Sequence, residues 1–171
     1  MQPSDNLSIP SIAAADDRPI DAVAGCELCA TEGGVLLWSD RDWRVVRVPD
    51  EDFPAFYRLI SNRHVREMSA LAASSRHRCM DLACAIELTL LERLRPAKMN
   101  LATFGNMVPH LHWHVIARFE WDRCFPAPIW ASPRRSVEPP ARSRLGVSLV
   151  MLDADVRAAL VAASQAPMTS A

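Results

Sequence analysis

Three histidines occupy alternate positions, His110, His112 and His114, within an otherwise largely apolar run over residues 108–118. The whole chain contains only five histidines, so most of its imidazoles are concentrated in one place. Alternation with β-branched and aromatic neighbours predicts a β-strand. On a strand the three rings share one face, with neighbours about 6–7 Å apart. This row is therefore the predicted centre of the protein's chemistry.

The histidine row allows three interpretations. A neutral imidazole has a free lone pair near neutral pH, so one ring can attack phosphorus and form a phospho-imidazole that water later hydrolyses. Two or three rings can instead hold a catalytic zinc ion, as in a metal-dependent hydrolase or oxygenase. A satisfied polar strand face, or an interface, is the structural alternative. The residues alone leave these interpretations open.

Three residues near the row are candidates for binding phosphate. Gly105 lacks a side chain and would let backbone approach the anion, and Asn106 could donate an amide hydrogen bond. Arg118 follows His114 by four residues, which places it on the same strand face. A guanidinium there could bind phosphate with two parallel hydrogen bonds. A surface arginine at the end of a strand is the alternative for Arg118.

Cys26 and Cys29 form a second group with ligand chemistry. Two intervening residues allow both thiolates to reach one tetrahedral ion at about 2.3 Å. A structural site needs two further ligands, and His64 and one member of the histidine row are the candidates. A redox pair and two ordinary buried cysteines are the alternatives, although no βαβ pattern surrounds the pair as it usually does in redox proteins.

The composition is that of a globular protein. Half of the 171 residues are hydrophobic, 23% are charged and the formal net charge is −1. This charge balance gives no reason to expect specific nucleic-acid binding. No apolar run approaches the roughly 18–20 residues of a membrane span, and the N-terminus lacks the layout of a secretory signal. The sequence therefore predicts a cytoplasmic protein without a membrane partner.

Strands, then a helix, then further strands predict an α+β fold with a mainly antiparallel sheet. A short helix is predicted over Val65–Ala72. A hairpin turn at Gly105-Asn106 should lead into the histidine strand. The other predicted strands are Val35–Ser39, Trp43–Val48, Phe56–Ser61 and Lys98–Phe104. A longer helix ending before Pro96 is predicted from apolar residues at helical spacing, namely Cys79, Ala83, Ile86, Leu90 and Leu94.

The chain is predicted to have three segments. Residues 1–22 are expected to be a flexible leader, residues 23–132 the folded domain, and residues 133–171 a Pro- and Arg-rich linker with a short C-terminal helix. That helix is predicted over Asp155–Ala166 because the segment is rich in alanine. Its apolar face is weak, so it is not expected to complete the core.

The motif His-Leu-His-Trp-His-Val-Ile over residues 110–116 resembles, at every position, the alternating motif of the histidine-triad (HIT) superfamily. Residues 105–109 and 117–119 are similar to a bacterial branch described as diadenosine tetraphosphate hydrolase-like. The similarity extends from Cys26 to Trp130. It implies a homodimer and a HIT-like domain over residues 23–132. The implied fold has a five-stranded antiparallel sheet with one long and one short helix, followed by a C-terminal extension.

The resemblance also implies an activity. Members hydrolyse or transfer a nucleotidyl group at an α-phosphate, and the implied substrates are dinucleoside polyphosphates, such as diadenosine tetraphosphate, or nucleoside phosphoramidates. His112 would be the nucleophile that carries the nucleotidyl group, and His114 would hydrogen-bond the phosphate or the bridging oxygen. Asn106 matches a position that helps to bind the phosphate. No organic cofactor is implied.

A metal site follows from the same resemblance. Some bacterial members carry a Cys-x-x-Cys pair that holds structural zinc together with two histidines. The matching ligands in this chain are Cys26, Cys29, His64 and His110, which would leave His112 and His114 for the chemistry.

The chain departs from the family pattern at two places. Asn106-Met107 stands where better-studied members often have Gln followed by Ser or Thr. Pro54-Ala55-Phe56 replaces the Gly-His that often opens the nucleotide-binding strand. These departures concern the leaving group and the base preference rather than the phosphoryl chemistry itself. A catalytically silent, nucleotide-binding dimer stabilised by zinc is a separate alternative.

Overall fold

The computed structural model describes residues 22–165. The predicted leader lies outside this range apart from Ala22. The described part of the chain contains five strands in one sheet, three α-helices and two short 3-10 turns. The bounds are α1 (Glu27–Ala30), β1 (Val35–Ser39), β2 (Trp43–Arg47), β3 (Phe56–Ser61), α2 (Ala73–Leu94), β4 (Lys98–Ala102), β5 (His112–Arg118) and α3 (Leu149–Gln165).

The sheet is antiparallel throughout, and its strand order is β1-β2-β3-β5-β4. The predicted α+β fold with a five-stranded antiparallel sheet is therefore confirmed. Strands β1 and β3 have the predicted bounds, whereas β2 ends at Arg47 and β4 ends at Ala102, slightly earlier than predicted. Because β5 lies between β3 and β4, the histidine strand has hydrogen-bonded neighbours on both sides.

The two faces of the sheet carry different residues because successive side chains on a strand point to opposite sides. Tyr57, Leu59 and Val115 are fully buried on one face, in the main core that α2 and α3 complete. His112 and His114 lie on the opposite face. The fold thus places its helices on one side of the sheet and the candidate chemistry on the other.

Helix α2 supplies much of the main core. Its buried residues recur at helical spacing, with Leu82, Ile86 and Leu90 fully buried. The helix ends at Leu94, as the sequence predicts, because Arg95 adopts a left-handed conformation with φ of 47°.

The short helix predicted over Val65–Ala72 is wrong. Only a 3-10 turn forms there, at Met68–Ala70, and none of its residues is buried. Short helices are unstable unless tertiary packing supports them, and the residues of this turn, none of which is buried, provide little such support.

The C-terminal helix differs from its prediction in its first residue and in its contribution to the core. Helix α3 begins at Leu149, six residues before the predicted start at Asp155. Its buried residues belong to the same core as the sheet and α2, so this helix does complete the core. The apolar stripe was missed because its first members lie in the segment assigned to the linker. The stripe consists of Leu149, Leu152, Val156 and Leu160.

Polar contacts also join α3 to the sheet. The Asp153 carboxylate accepts hydrogen bonds from Arg47 Nε at 3.0 Å and from the Tyr57 hydroxyl at 2.9 Å. Residues 149–165 therefore share a core with the sheet, although they lie beyond the predicted boundary at residue 133. No helix within residues 22–165 combines the length and the apolar character needed to cross a bilayer.

Candidate active site and metal centre

Four predicted metal ligands meet on the histidine side of the sheet. Cys26 immediately precedes α1 and Cys29 lies within it. His64 follows β3, and His110 comes from the segment just before β5. The two Sγ atoms and one ring nitrogen from each histidine all lie within 4.8 Å of one another. The structure thus brings together all four residues.

The spacing of these atoms fits a tetrahedral ion. Cys29 Sγ lies 3.2 Å from His64 Nδ1 and 3.5 Å from His110 Nδ1, and Cys26 Sγ lies 3.5 Å from His110 Nδ1. In a tetrahedral zinc site, sulfur and nitrogen ligands are separated by about 3.5 Å. Two thiolates and two imidazoles are also a common ligand set for structural zinc. The cluster could therefore hold such a metal.

Neighbouring groups orient the ligands. His110 Nε2 donates a hydrogen bond to the Ser61 carbonyl at 2.7 Å, so Nδ1 presents its lone pair to the cluster. Arg44 binds the segment that contains the two cysteines. Its guanidinium donates hydrogen bonds to the Leu28 carbonyl at 2.6 Å and to Asn62 Oδ1 at 3.1 Å. These contacts attach α1 to the sheet and fix the position of the two thiols.

The prediction that all three histidines belong to one strand holds for His112 and His114 but is wrong for His110. Strand β5 begins at His112, and His110 lies before it. The His110 N–H donates to the Val108 carbonyl at 2.8 Å, a tight turn that interrupts the extended chain next to Pro109. The His110 ring consequently points to the cluster, while the rings of His112 and His114 remain together with centroids 4.8 Å apart.

A cavity of about 430 Å³ opens beside the two strand histidines. The sheet contributes His112, His114 and Arg58 to its wall, and the loop between β4 and β5 contributes residues 104–108. Trp130 lines the same cavity. This space is large enough for a small-molecule ligand.

His112 has a defined tautomer. Its Nδ1 donates a hydrogen bond to the His110 carbonyl at 2.7 Å, and because a carbonyl can only accept, Nε2 carries the lone pair of the neutral ring. Burial lowers the pKa of His112 below its usual value, and the Arg58 cation lowers it further. The ring is therefore neutral at pH 7, as a nucleophilic imidazole must be.

His114 is buried without a protein partner. Neither Nδ1 nor Nε2 makes a hydrogen bond within the described part of the chain. The ring packs against Phe56 and Trp130, with centroid distances of 5.3 and 5.2 Å. Burial, reinforced by His112 and Arg58, lowers the pKa of His114 to about 3. Buried polar atoms without partners are costly, so a polar group of a ligand is the expected partner.

Gly105 and Asn106 line the cavity on the loop before the histidine strand. Gly105 has a φ of +83°, a left-handed conformation that glycine adopts without steric cost. The structure therefore brings four of the five residues predicted for catalysis and substrate binding to one cavity. They are Gly105, Asn106, His112 and His114.

The HIT-domain family profile matches residues 35–121, just over half of the chain. The chain belongs to the HIT family. A histidine triad protein from Marinobacter aquaeolei VT8 has a similar structure, with a TM-score of 0.61 and 25% identity over 77% of this chain and 91% of that chain. A histidine triad protein from Bradyrhizobium japonicum has a TM-score of 0.61 and 23% identity over 75% of this chain and 92% of that chain. Among curated proteins, none matches the chain.

Membership of the HIT family indicates, at the level of the family only, nucleotide binding or hydrolase or transferase activity. Both similar structures share the fold over most of their length. The closer similarity to the bacterial diadenosine tetraphosphate hydrolase-like branch stays a prediction.

The prediction that Arg118 of this HIT protein binds phosphate is wrong. Its guanidinium forms a buried ion pair with Asp122, with Nε–Oδ2 and Nη2–Oδ1 distances of 2.8 and 3.1 Å. The remaining contacts are 2.7 Å hydrogen bonds to Asn100 Oδ1 and the Ala127 carbonyl. Arg118 lies on the predicted face but not at the cavity. Its donors are occupied, so it stabilises the fold instead.

Sequence reasoning missed Arg58. This residue lies on β3 directly opposite His114 and lines the cavity. Alternation along the strand places Arg58 on the same face as Phe56 and Ile60. The signal could not be used because the sequence does not reveal that β3 is the strand that pairs with the histidine strand.

The structure also tests the alternative in which the histidine row holds one catalytic metal ion. Within residues 22–165, one group brings together three or more potential metal ligands, and it is the Cys/His cluster. The row supplies one ligand to that cluster, through His110. The geometry thus favours separate tasks for the three histidines over one catalytic ion bound by all of them.

Proposed function

We propose that this HIT protein is a nucleotide hydrolase or nucleotidyl transferase that forms a covalent intermediate on His112. The observation that carries the proposal is the 2.7 Å hydrogen bond from His112 Nδ1 to the His110 carbonyl. This bond fixes Nε2 as the lone-pair nitrogen of a neutral ring in the cavity wall. Dinucleoside polyphosphates such as diadenosine tetraphosphate, or nucleoside phosphoramidates, are the proposed substrates.

In the first step, the Nε2 lone pair of His112 attacks the α-phosphorus. A P–N bond forms, the bond from phosphorus to the leaving group breaks, and its electron pair stays with the leaving group. A polyphosphate leaving group departs as an anion, whereas an amine leaving group takes a proton from solvent water as the P–N bond of the substrate breaks. The His112 ring keeps its Nδ1 proton and becomes cationic, and the His110 carbonyl that accepts this proton's hydrogen bond stabilises the new charge.

In the second step, water attacks the same phosphorus. The P–N electron pair returns to Nε2, one water proton is released, and the nucleoside monophosphate leaves with the ring neutral again. If a different acceptor replaces water, the outcome is transfer of the nucleotidyl group.

Other cavity residues have supporting tasks in this proposal. The unpartnered nitrogens of His114 allow one N–H to donate to a phosphoryl or bridging oxygen. Asn106 and the backbone at Gly105 lie on the same wall and bind the phosphate. Phe104 and Trp130 pack with ring centroids 4.9 Å apart and are more than half exposed, so they offer a surface on which a base can stack.

A zinc ion at Cys26, Cys29, His64 and His110 is proposed as a structural element. Four protein ligands leave no open position for substrate or water, as is usual for structural zinc. The ion would hold α1, the loop after β3 and the segment before β5 together. None of the chemical steps uses it.

The test of this function is turnover of diadenosine tetraphosphate and of an adenosine phosphoramidate by the metal-loaded protein and its His112→Asn variant. We expect release of adenosine monophosphate by the native protein and loss of release in the variant. Tight nucleotide binding without turnover in the native protein would instead support the catalytically silent, nucleotide-binding dimer.

Two further features belong to the proposal. A homodimer is supported by the open edge of β4 and by the exposed apolar residues Leu88 and Leu91 on α2; sedimentation of the purified protein tests it. A cytoplasmic location is supported by the thiolate ligands of the cluster, which need a reducing compartment.

A further inference from the structure

Three arginines lie on the histidine side of the sheet, and they differ in their partners. Arg44 donates hydrogen bonds to the Leu28 and Glu32 carbonyls and to Asn62. Arg118 is fully engaged by its buried ion pair and two further hydrogen bonds.

Arg58 lacks comparable partners. Its recorded hydrogen bond, from Nη1 to the Gly33 carbonyl, is 3.5 Å long. Its Nε is buried and makes no hydrogen bond within residues 22–165. Its guanidinium carbon also lies 5.5 Å from the centroid of the Phe56 ring.

This arrangement is energetically unfavourable without a ligand. Burial lowers the pKa of Arg58, which means that the protein destabilises the cation, while the Glu27 carboxylate partly offsets the effect. Burying a charge costs free energy unless an opposite charge or hydrogen bonds compensate it. Glu27 lies on the cavity wall, but it is exposed and makes no ion pair with Arg58 in the described part of the chain. An anion in the cavity would supply the missing compensation.

The position of Arg58 indicates which kind of anion would bind in the cavity. Arg58 lies directly opposite His114, whose ring nitrogens also have no partner in the described chain. Two adjacent side chains with unused donors suit the several oxygens of neighbouring phosphates. The planar guanidinium can bind two of those oxygens in parallel. In the proposed reaction, His112 and His114 already contact the α-phosphate, so the guanidinium remains for the phosphate next to it.

We infer that Arg58 binds a second phosphate of the substrate and thereby selects nucleoside polyphosphates over nucleotides whose leaving group carries no phosphate. The inference rests on the proposed function, because it uses the same cavity. It narrows the substrate class from any α-phosphate derivative to a compound with at least two linked phosphates.

The first experiment measures binding, so that it does not depend on turnover. Isothermal titration with ADP and with AMP is performed on the native protein, Arg58→Gln, Arg58→Lys and Arg142→Gln. We expect Arg58→Gln to weaken ADP binding by about 10- to 100-fold and AMP binding by less than about fivefold. The ADP affinity of Arg58→Lys should lie between those of Arg58→Gln and the native protein, because lysine keeps the charge but lacks the planar guanidinium.

The Arg142→Gln variant is the matched control, since Arg142 is exposed and lies outside the cavity lining. It should leave both affinities unchanged. An equal loss for ADP and AMP in the Arg58 variants would overturn the inference, and so would ADP binding that stays native in both. If Arg58→Gln does not fold, the Arg58→Lys comparison decides alone.

The second experiment separates this inference from the proposed function. The ratio of kcat/KM for diadenosine tetraphosphate to that for an adenosine phosphoramidate should fall about 10-fold or more in Arg58→Gln. A ratio that stays native would overturn the inference even though the enzyme is active. If the native protein turns over neither compound, the proposed function fails, while the ADP and AMP affinities still decide whether Arg58 binds a second phosphate.

Discussion

The Cys/His cluster and the cavity use neighbouring histidines of one short segment. These histidines differ in whether their ring nitrogens have hydrogen-bond partners in the protein. In the cluster, His110 has a partner at each ring nitrogen, the Ser61 carbonyl on one side and the thiols on the other. In the cavity, neither ring nitrogen of His114 has a partner in the described chain. The protein partners of each ring nitrogen, rather than the repeated motif, therefore distinguish a structural histidine from one available for chemistry.

One hydrogen bond joins the two regions. The His110 side chain belongs to the cluster, and the His110 backbone carbonyl accepts the Nδ1 proton of His112. Any change that displaces the His110 backbone therefore reorients the proposed nucleophile. This connection predicts that displacement of the cluster ligands also alters the cavity. His112 is not itself one of the ligands, so its replacement is predicted to leave the metal bound.

Replacement of His112 should affect turnover most strongly and leave the cluster intact. His112→Asn should lower turnover by about 10⁴-fold or more, because removal of a covalent nucleophile abolishes both chemical steps. Zinc content, measured by elemental analysis, should stay native because His112 is not a ligand. Loss of zinc in this variant would show that the two regions are not separable in the way described.

Damage to the cluster should affect both regions. Cys29→Ser is expected to reduce zinc to well below half an equivalent and to lower the thermal midpoint, because metal binding is coupled to folding. Turnover should fall about 10-fold or more through the displaced His110 carbonyl. Cys84→Ser is the matched control, since Cys84 is exposed on α2. Full zinc content in Cys29→Ser would refute the ligand set.

A third variant tests a buried ion pair that stabilises the fold but belongs to neither the cluster nor the cavity. Asp122→Asn should lower the free energy of unfolding by about 3 kcal/mol, because it leaves the buried Arg118 cation without its counter-charge. Urea unfolding measures this loss, with Asp81→Asn at an exposed position as the control. Affinity for AMP should remain close to native. A large drop in nucleotide affinity with unchanged stability would restore Arg118 as a phosphate ligand.

The stability of the fold should also depend modestly on pH through His114. The pKa of His114 is lowered to about 3 in the folded protein, whereas an unfolded histidine titrates near 6.5. Between these values the unfolded chain binds a proton that the folded one does not, so stability falls as pH decreases below about 6.5. The slope from this one group is at most about 1.4 kcal/mol per pH unit.

The measurement for this pH effect compares urea unfolding of the native protein and a His114→Gln variant between pH 7 and pH 5. The variant should lose less stability than the native protein over this range, and the difference isolates His114 from the metal ligands. Equal pH dependence in the two proteins would contradict the low pKa.

Much of the fold and of the site could be predicted because the signals are local. Alternation in β1, β3 and β5 and helical spacing in α2 depend on neighbouring residues. The four metal ligands and the assignment of His112 came from the family resemblance, since spacing alone left several ligand sets open. Local patterns reveal which residues share a face, but not which strands become neighbours.

The errors have the same physical origin. Arg118 has the correct face, but only the chain fold shows that Asp122 reaches its guanidinium. Arg58 became visible only when β3 was found next to β5. The turn before His112 places the His110 ring beside Cys26 and Cys29, which are distant in the sequence. Each case involves a tertiary contact that competes with, or adds to, a local preference.

Trapping the nucleotidyl-histidine intermediate would show whether His112 is the nucleophile. Native protein is mixed with diadenosine tetraphosphate, quenched in alkali to preserve an acid-labile P–N bond, digested and analysed by mass spectrometry. We expect an adenylyl group on His112 that is absent from the His112→Asn variant. An adenylyl group on another residue, or turnover that continues in His112→Asn without any adduct, would contradict it.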